Sequence, residues 1–403
     1  MSQSLELNLT SPAFKADPYP AFAWLRTDDP VHQLASSGGQ STWLITRYVD
    51  AEIALRDQRF IKDRKNLLSP KARKALPASQ PSAADLMTLM MTDVDPPDHT
   101  RLRSLANLAF TPRRVEQWRP RIQQITDELI DAVAAKGHMD LIEEFAFPLP
   151  LKVILEMLGI PMSDGPQVHT WTKAIADALG DPVASAQVSP HLQAFYLYLH
   201  ALIETRRKTL TNDLVSSWIR AEGEQLSTRE LVTMVFLLIV AGHDTTGSLI
   251  GTSMLALLTH PEQLALLRQQ PALIKTAIEE FLRYRSPFMH ATLRWASEDV
   301  LLGDKLIRRG DQVIISLASA NRDDQAFAEP NTLDITRQEN PHLAFGKGIH
   351  FCLGAQLARL EGQIAISTLI HCLPHLRLQT DPQSLVWRPG SLALGLDHLP
   401  VLF

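Results

Sequence analysis

The longest apolar stretch of the chain, residues 231–258, constrains the fold more than any other feature. It is interrupted at its centre by the polar residues His243, Asp244, Thr245 and Thr246. A membrane-spanning helix needs about 20 predominantly apolar residues, so the interrupted stretch is predicted to be a long core helix of a soluble protein. Burying these groups costs free energy unless each finds a partner, and consecutive polar residues do not form one helix face. The polar run therefore calls for a functional explanation.

The hydrophobic pattern elsewhere predicts a mainly α fold with small β-sheets, because helices are long and early while strands are short and late. A regular alternation of strands and helices, typical of a doubly wound sheet, is absent from the pattern. Ser227 and Glu230 predict a capping box at the start of the long helix, and Ser189 followed by Pro190 predicts another helix start. The predicted helices are 18–26, 100–110, 113–136, 145–158, 189–209, 227–258, 262–270, 273–284 and 353–371; the predicted strands are 41–48, 291–295, 300–302 and 312–317.

The composition and charge of the chain limit the classes of protein to which it can belong. The sequence contains no linker-like segment and no repeat, so residues 1–403 are predicted to form one domain. With 39 basic against 44 acidic residues and 6% aromatics, a general nucleic-acid binder is disfavoured. The two cysteines, Cys352 and Cys372, indicate a reducing cytoplasm. The first 20 residues lack the pattern of a signal peptide or membrane anchor.

The neighbourhood of Cys352 differs from that of an ordinary buried cysteine. In the stretch FGKGIHFCLG, Gly346 and Gly348 precede Cys352 and Gly354 follows it, and a helical pattern begins immediately afterwards. Glycines allow a tight loop, and free amides at a helix start stabilise a thiolate. The alternative is a structural cysteine, as most free cysteines are. That alternative suits Cys372, which follows a helix without such a setting.

The stretch FGKGIHFCLG resembles the haem-binding loop of the cytochromes P450, the haem-thiolate monooxygenases. The resemblance implies the cytochrome P450 fold, with the long central helix over the haem, and haem b as the cofactor. It further implies that Cys352 is the axial ligand of the haem iron, that His350 contacts a propionate, and that Phe345 packs beside the sulfur. A thiolate ligand favours cleavage of the O–O bond.

The polar run AGHDTT resembles the oxygen-activation motif of the same family. The resemblance implies that Ala241 and Gly242 leave room for dioxygen beside the haem. It also implies that Thr245 hydrogen-bonds the oxygen and a water, while Asp244 connects that water to solvent. Thr246 is expected to bond back to its own helix and His243 to face away.

Two further motifs match the family. In EEFLRY, Glu280 and Arg283 lie on one helix face; alone they predict a routine ion pair, whereas the resemblance implies a buried pair that braces the fold. The family often adds an arginine from a later segment, which corresponds here to residues 326–337. Within it, Thr332 and Leu333 stand where Arg and Phe are common, and shortly before it Asp324 stands where Pro is usual. The third partner therefore stays open.

The stretch DPPDHTRLR supplies His99 and Arg103 at i and i+4, and Arg294 lies in a strand-like segment. The resemblance implies that all three bind haem propionates, because charge-assisted bonds to carboxylates are strong. Taken singly, each is an ordinary surface charge.

A hydrophobic substrate is expected, since ligand pockets are mostly apolar and methionine packs around varied shapes. The candidates are also compatible with ordinary core packing. They are Met87, Met90, Leu237, Leu238, Phe288, Met289, Ala291 and Leu392.

The resemblance, closest to the macrolide- and fatty-acid-oxidising bacterial group, implies insertion of one oxygen atom from dioxygen into an organic substrate. Electrons would come from a separate ferredoxin or flavodoxin with its reductase, docking at Lys347, Arg113 and Arg114, although these charges are equally compatible with simple solvation. A monomer is expected. The alternatives are a peroxide-using or isomerising enzyme on the same fold, disfavoured by the Asp244–Thr245 pair, and a haem sensor, for which no output domain is evident.

Overall fold

The structure is a computed structural model that describes residues 7–9, 11–34, 40–75, 80–178, 187–223, 225–388 and 394–403. Helices form most of it, as the hydrophobic pattern predicts. In chain order they are Pro12–Ala16 (α1), Tyr19–Asp28 (α2), Tyr48–Arg56 (α3), Pro70–Lys74 (α4), Asp85–Thr88 (α5), Asp98–Asn107 (α6), Pro112–Glu116 (α7), Arg119–Ala134 (α8), Pro148–Leu158 (α9), Gly165–Ala178 (α10), Ser189–Lys208 (α11), Leu214–Arg220 (α12), Thr228–Thr259 (α13), Pro261–Gln269 (α14), Ile274–Tyr284 (α15), Leu317–Ala320 (α16) and Ala355–Cys372 (α17).

The strands are short and form three small sheets. They are Val31–Leu34 (β1), Thr42–Ile45 (β2), Phe60–Ile61 (β3), His138–Asp140 (β4), Arg294–Ala296 (β5), Val300–Leu302 (β6), Lys305–Ile307 (β7), Gln312–Ile315 (β8), Arg377–Leu378 (β9) and Pro400–Leu402 (β10). The largest sheet has the order β1-β2-β8-β5-β3, and within it β2 pairs with β8 in parallel, with Thr42 opposite Gln312. The second has the order β4-β10-β9, and β6 pairs with β7.

Two hydrophobic cores support these elements. The larger is enclosed by the long helices, and the smaller lies beneath the largest sheet and α3. Helix α13 crosses the larger core, and we call it the central helix. Its start is the predicted capping box, because the Ser227 hydroxyl accepts a hydrogen bond from the Glu230 amide and the Ser227 amide donates to the Glu230 carboxylate at 2.9 Å.

The central helix is long and apolar enough to cross a membrane by length and composition alone. Its most apolar 18-residue window has a mean hydropathy of 1.4, yet 78% of that window is buried inside the protein. That burial is typical of a core helix, as the interrupted apolar stretch predicts.

Two local predictions are wrong. The helix predicted over 113–136 is divided into α7 and α8, because Pro120 starts a new helix at its first turn. The predicted cap at Ser189 is also absent, since Ser189 already lies within α11 and Val188 precedes it without a side-chain cap.

Candidate functional site

The central helix has one accessible stripe in its otherwise buried middle. Between residues 231 and 257, the described side chains are buried except at Val240, Ala241, Gly242 and Thr245. Ala241 and Thr245 are one helical turn apart, and the Thr245 hydroxyl donates to the Ala241 carbonyl at 2.9 Å. Ala241 and Thr245 therefore share one accessible face of the central helix, whereas a Cβ atom at Gly242 would lie 3.4 Å from the Ile154 side chain of α9.

The neighbouring polar residues face other directions. His243 is buried, and its ring nitrogens lie 2.7 Å from the Ile239 carbonyl and 3.2 Å from the Thr172 hydroxyl of α10. Thr246 is buried and donates to the Gly242 carbonyl at 3.2 Å. The sequence analysis predicts both placements.

Asp244, the residue before Thr245, is buried and lies in an ion pair that the sequence analysis missed. Its carboxylate accepts a hydrogen bond from Arg388, whose second terminal nitrogen donates to Asp177 at 3.0 Å. The carboxylates of Asp244 and Asp177 raise the pKa of Arg388 despite its burial. Sequence spacing gives no signal for this contact, because 144 residues separate Arg388 from Asp244.

The loop that carries Cys352 is tight and depends on its glycines. Gly346 and Gly348 have φ angles of 67° and 73°, which side chains other than glycine rarely adopt. A Cβ atom at Gly348 would lie 2.8 Å from the Leu55 carbonyl oxygen of α3. The Cys352 amide donates to the Phe345 carbonyl at 2.9 Å, which closes the loop.

The helix-start argument for Cys352 is only partly right. The amides of Gly354 and Ala355 do hydrogen-bond the sulfur, and the charges of Arg103 and Arg359 also favour the thiolate. Burial has the larger effect, however, and it raises the pKa of Cys352 above its ordinary value. Protein groups alone therefore do not make this sulfur an anion at neutral pH, whereas binding of a metal cation deprotonates a coordinating thiol.

Basic side chains converge near this loop. The rings of His99 and His350 lie 4.3 Å apart between centroids. Burial and the positive charges of Lys62, His99, Arg294 and Arg103 lower the pKa of His350 to about 2. The structure thus brings together the predicted propionate ligands and adds Lys62, which sequence reasoning missed because a single lysine after a short strand carries no recognisable spacing.

Two of these groups are held deep in the protein. Arg294 is 4% exposed, burial lowers its pKa to about 10, and its Nε has no hydrogen-bond partner among the described residues. The Lys62 ammonium donates to the Thr292 carbonyl at 2.9 Å and to the Leu293 carbonyl at 2.8 Å. Lys62 therefore fixes the segment that precedes Arg294.

The cluster fits the carboxylates of a haem. Five basic groups meet one another close to Asp95, whose oxygens already accept the Lys62 and Asp63 amides at 2.9 and 3.0 Å. The buried Arg294 guanidinium, whose Nε has no hydrogen-bond partner among the described residues, indicates that an anionic group belongs there. Cys352, the accessible stripe of the central helix and this cluster together provide the donors that a haem with two propionates requires.

Glu280 and Arg283 form a buried structural pair. Both side chains are 0% exposed, and the Arg283 guanidinium donates twice to the Glu280 carboxylate, at 2.8 and 2.7 Å. The open third partner is Arg337, whose Nε donates to Glu280 at 3.1 Å. Thr332 contributes through its carbonyl, which accepts from Arg283 at 3.0 Å, so the side chain at that position is immaterial to the contact.

The residues predicted to line the substrate pocket differ in how far their side chains are exposed. Met87, Met90, Phe288 and Ala291 are half-buried, and Leu237 and Leu238 are 8% and 9% exposed on the central helix. Met289 is fully enclosed by the larger core, which is the position of a packing residue, so it is removed from the candidates. Leu392 lies outside the described residues.

The predicted docking charges also differ from one another. Arg113 and Arg114 are exposed at the start of α7, whereas Lys347 is half-buried and ion-paired with Glu52. Large apolar side chains are exposed near each of these charges in the sequence, Leu108 before Arg113 and Ile349 and Phe351 after Lys347. Arg113 and Arg114 are therefore better placed than Lys347 to meet a partner.

Comparisons with known proteins agree over nearly the whole chain. A family model described as Cytochrome P450 matches residues 69–394. Cytochrome P450 107B1 of Saccharopolyspora erythraea is 46% identical over 393 residues, covering 96% of both proteins. The 6-deoxyerythronolide B hydroxylase of the same organism is 39% identical over 400 residues, covering 98% of both. The structure of myxobacterial CYP267B1 in complex with myristic acid aligns with a TM-score of 0.90 and 41% identity, covering 98% of both chains.

Proposed function

Because the chain belongs to the cytochrome P450 family and is a haem-thiolate monooxygenase, we propose that Cys352 ligates its haem iron and that Thr245 and Asp244 handle protons during the reaction. The observation that carries this proposal is the accessible stripe on the central helix, where Ala241, Gly242 and Thr245 are open within a buried segment. When bound, the haem supplies the iron at which dioxygen is reduced.

Thr245 is suited to hold a proton at its hydroxyl oxygen. Its hydroxyl donates to the Ala241 carbonyl within the same turn, and rotation about χ1 would redirect that donor toward the accessible side of the helix. An alcohol both donates and accepts, so Thr245 can pass one proton to a reacting oxygen and regain another from water. Asp244, the adjacent carboxylate, is the group that replenishes the proton.

The basic cluster is proposed to bind and orient the haem propionates. His99 and Arg103 extend from α6, Arg294 from β5, and His350 from the turn before Cys352. Charge-assisted hydrogen bonds from these groups would fix the plane of the cofactor between the sulfur and the central helix. Lys62 supports the cluster by holding the residues before Arg294.

We propose a hydrophobic substrate of medium or large size, bound by Met87, Met90, Leu237, Leu238, Phe288 and Ala291. A solved relative was crystallised with myristic acid, and another relative is named as a hydroxylase. Replacing Met90 with a bulky residue should change the range of accepted substrates, and an unchanged range would remove Met90 from the pocket.

The electron donor is proposed to be a separate ferredoxin or flavodoxin that docks at Arg113 and Arg114. The protein is further proposed to act as a single haem domain, as a monomer and in the cytoplasm. Members of the family use redox partners, and an exposed pair of basic side chains suits an acidic partner.

Two measurements test the proposal. Reduction of the purified protein under carbon monoxide should give the strongly red-shifted Soret band of a thiolate-ligated haem, and replacement of Cys352 by His should abolish that band. Thr245→Ala should keep consuming electrons while forming hydrogen peroxide in place of product. Unchanged coupling of electrons to product would remove Thr245 from the mechanism and favour a peroxide-using enzyme, which needs no proton relay.

A further inference from the structure

A charge pair beside the loop that carries Cys352 has no role in the proposed function. The Glu279 carboxylate binds the guanidinium of Arg359, a residue of the helix that follows Cys352. We propose that Glu279 is a positioning residue which, given the proposed ligation of haem iron by Cys352, sets the reduction potential of that iron. It does so by holding the Arg359 charge against the Cys352 loop and by partly neutralising it.

Two hydrogen bonds join Glu279 to Arg359. The Nε and one terminal nitrogen of Arg359 donate to the two carboxylate oxygens of Glu279, each at 2.7 Å. Bidentate contacts of this kind are stronger and more directional than a single contact between opposite charges. The side chains of Glu279 and Arg359 are 28% and 23% exposed, so solvent screens the pair only in part. Because Glu279 lies on α15 and Arg359 on α17, the pair fixes the guanidinium relative to a second helix.

The Arg359 guanidinium contacts the Cys352 loop through an aromatic ring. Its central carbon lies over the Phe345 ring, 4.6 Å from the ring centroid, which is within the range of a cation–π contact. The Phe345 carbonyl in turn accepts the Cys352 amide at 2.9 Å. Burial raises the pKa of Cys352, and the Arg359 charge is one of the influences that oppose this rise. Arg359 is therefore part of the electrostatic environment of the sulfur.

Glu279 also binds the chain just before the loop, through His342. The His342 Nε2 lies 3.0 Å from a Glu279 oxygen, and its Nδ1 lies 3.2 Å from the Ala344 amide nitrogen. A carboxylate only accepts hydrogen bonds and an amide nitrogen only donates, so Nε2 carries the hydrogen and Nδ1 accepts. These contacts hold His342 in its neutral form. Among the described residues, Arg359 is then the one cation in contact with the Glu279 carboxylate.

The charges of Glu279 and Arg359 act on the haem in opposite senses. Burial alone would raise the pKa of Glu279, but the hydrogen bonds from Arg359 and His342 lower it to about 2, so the carboxylate is ionised at neutral pH. Reduction adds a negative charge to the iron, and a nearby cation therefore favours the reduced form. Charges and hydrogen bonds around the axial ligand are among the factors that set the potential of a haem. Arg359 should raise the potential, and Glu279 should lower it.

The test compares Glu279→Gln with Arg359→Gln. Glutamine keeps the shape and one acceptor oxygen of Glu279, so Glu279→Gln removes the counter-charge of Arg359 and should raise the potential. Arg359→Gln removes the cation and should lower it. Each variant is expected to shift the ferric–ferrous equilibrium by roughly tenfold, which is about 59 mV for one electron. Spectroelectrochemical titration of the substrate-free, haem-loaded protein measures the potentials.

The opposite signs distinguish an electrostatic role from a structural one. If the pair only fastened α15 to α17, both changes would loosen the same contact and both potentials would shift in the same direction. Shifts of one sign would therefore overturn the proposal. Arg359→Lys keeps the charge without the bidentate geometry, and its potential should lie between those of the native protein and Arg359→Gln. It carries the test if Arg359→Gln binds no haem, and a native potential for Arg359→Lys together with one for Glu279→Gln would equally overturn the proposal.

A matched control is Glu156→Gln. The Glu156 carboxylate accepts the Arg121 Nε at 2.9 and 3.1 Å and is 35% exposed, so this variant breaks a comparable pair between α8 and α9. It should leave the potential of the haem unchanged. A rise equal to that of Glu279→Gln would show that loss of any half-buried carboxylate has the same effect, and Glu279 would then have no specific role.

The carbon monoxide complex separates this inference from the proposed function. If the reduced native protein lacks the red-shifted Soret band, Cys352 is not the ligand and both proposals fail. If that band is present while Glu279→Gln leaves the potential unchanged, ligation by Cys352 stands and only the role of Glu279 is refuted.

Discussion

At the residue scale, the Glu280 carboxylate is held by donors from separate segments of the chain. Arg283, Arg337 and Asn340 donate side-chain hydrogen bonds to it, and the Asp334 amide adds one at 2.9 Å. A buried charge is tolerated when it is surrounded by such partners, but removing one member of the pair strands the other. Glu280 therefore contributes to folding rather than to chemistry.

Glu280→Gln should lower the free energy of unfolding by about 3–5 kcal/mol, because Arg283 would remain buried without its counter-charge. Chemical denaturation followed by circular dichroism measures this change. The control is Glu144→Gln, which breaks the partly exposed pair with Lys136 and should cost about 1 kcal/mol or less. Equal effects of the two variants would contradict a bracing role for Glu280.

The buried side chain of His290 is expected to make the folded protein less stable in acid. It is fully buried, neither ring nitrogen has a partner among the described residues, and burial lowers its pKa from 6.5 to about 3. Between these pH values the unfolded chain binds a proton that the folded protein does not, so stability falls as the pH falls. One such proton changes stability by about 1.4 kcal/mol per pH unit.

His290→Leu should reduce this acid dependence by one proton, as measured by urea unfolding between pH 6.5 and 4. His398 is the control, because its hydrogen bond to Asp140 raises its pKa in the folded state. The stability that His398 provides is present below pH 6.5 and is lost as the pH rises, so His398→Gln should not relieve acid sensitivity. An unchanged slope for His290→Leu would show that His290 becomes protonated in the folded protein.

Local motifs and distant contacts were not equally predictable. The Glu280–Arg283 pair and the capping box at Ser227 each join residues within one helical turn. Sequence spacing is therefore enough to predict them, and the structure contains both. Arg388 and Lys62 meet their partners across 144 and 230 residues. Residue spacing in a single sequence does not predict such long-range contacts, because they depend on how whole helices and strands pack against one another. The same limit applies to the third partner of Glu280. The resemblance indicates the segment 326–337 that supplies this partner, but it does not indicate that Arg337 is the residue.

At the element scale, the central helix depends on close approach by the segment before α9. Residues Ile142–Ala146 form one turn of π-helix, which packs against Gly247 and Gly251. A Cβ atom at Gly247 would lie 3.0 Å from the Phe147 ring and 3.1 Å from the Ala146 carbonyl. At Gly251 it would meet only the terminal methyl of Ile142. Periodicity predicts the helices themselves, but it does not reveal the π-turn, which replaces the first residues of the helix predicted from 145.

Gly247→Ala should therefore destabilise the protein by about 1–3 kcal/mol, the usual cost of overpacking, despite the better helix propensity of alanine. Gly251→Ala should cost less, because the Ile142 side chain can rotate away. Urea denaturation of both variants provides the comparison. A larger loss for Gly251→Ala would indicate that Ile142, rather than the Ala146 backbone, sets the helix separation.

At the scale of the whole molecule, the proposed docking charges and the Asp244 ion pair belong to different segments of the described chain. The exposed pair Arg113 and Arg114 begins α7, while Arg388 and Asp177, which pair near Asp244, lie in the C-terminal part of the chain and in α10. Resemblance of motifs predicts the family, which the comparisons confirm, whereas a docking role for Arg113 and Arg114 stays a prediction. Motif resemblance does not predict the ion pair between Lys347 and Glu52, because the two residues are 295 positions apart in the sequence.

Arg113→Glu should slow reduction by an acidic redox partner by about tenfold at low salt, since steering by surface charge changes association rates by 10–10³. The difference should shrink at high ionic strength, where the Debye length falls to about 3 Å at 1 M salt. Stopped-flow reduction under carbon monoxide measures the rate. Arg377→Glu on β9 makes the same change of charge elsewhere, and an equal slowing by that variant would exclude a specific docking role for Arg113.

The carbonyl of Leu55 has a practical consequence for anyone wishing to redirect this catalyst. Because it occupies the space that a side chain at position 348 would need, the Cys352 loop packs directly against α3 at Gly348, and that position tolerates no larger residue. Combinatorial libraries should keep that codon invariant and diversify Met87, Met90 and Phe288 instead, because these proposed pocket side chains are only half-buried.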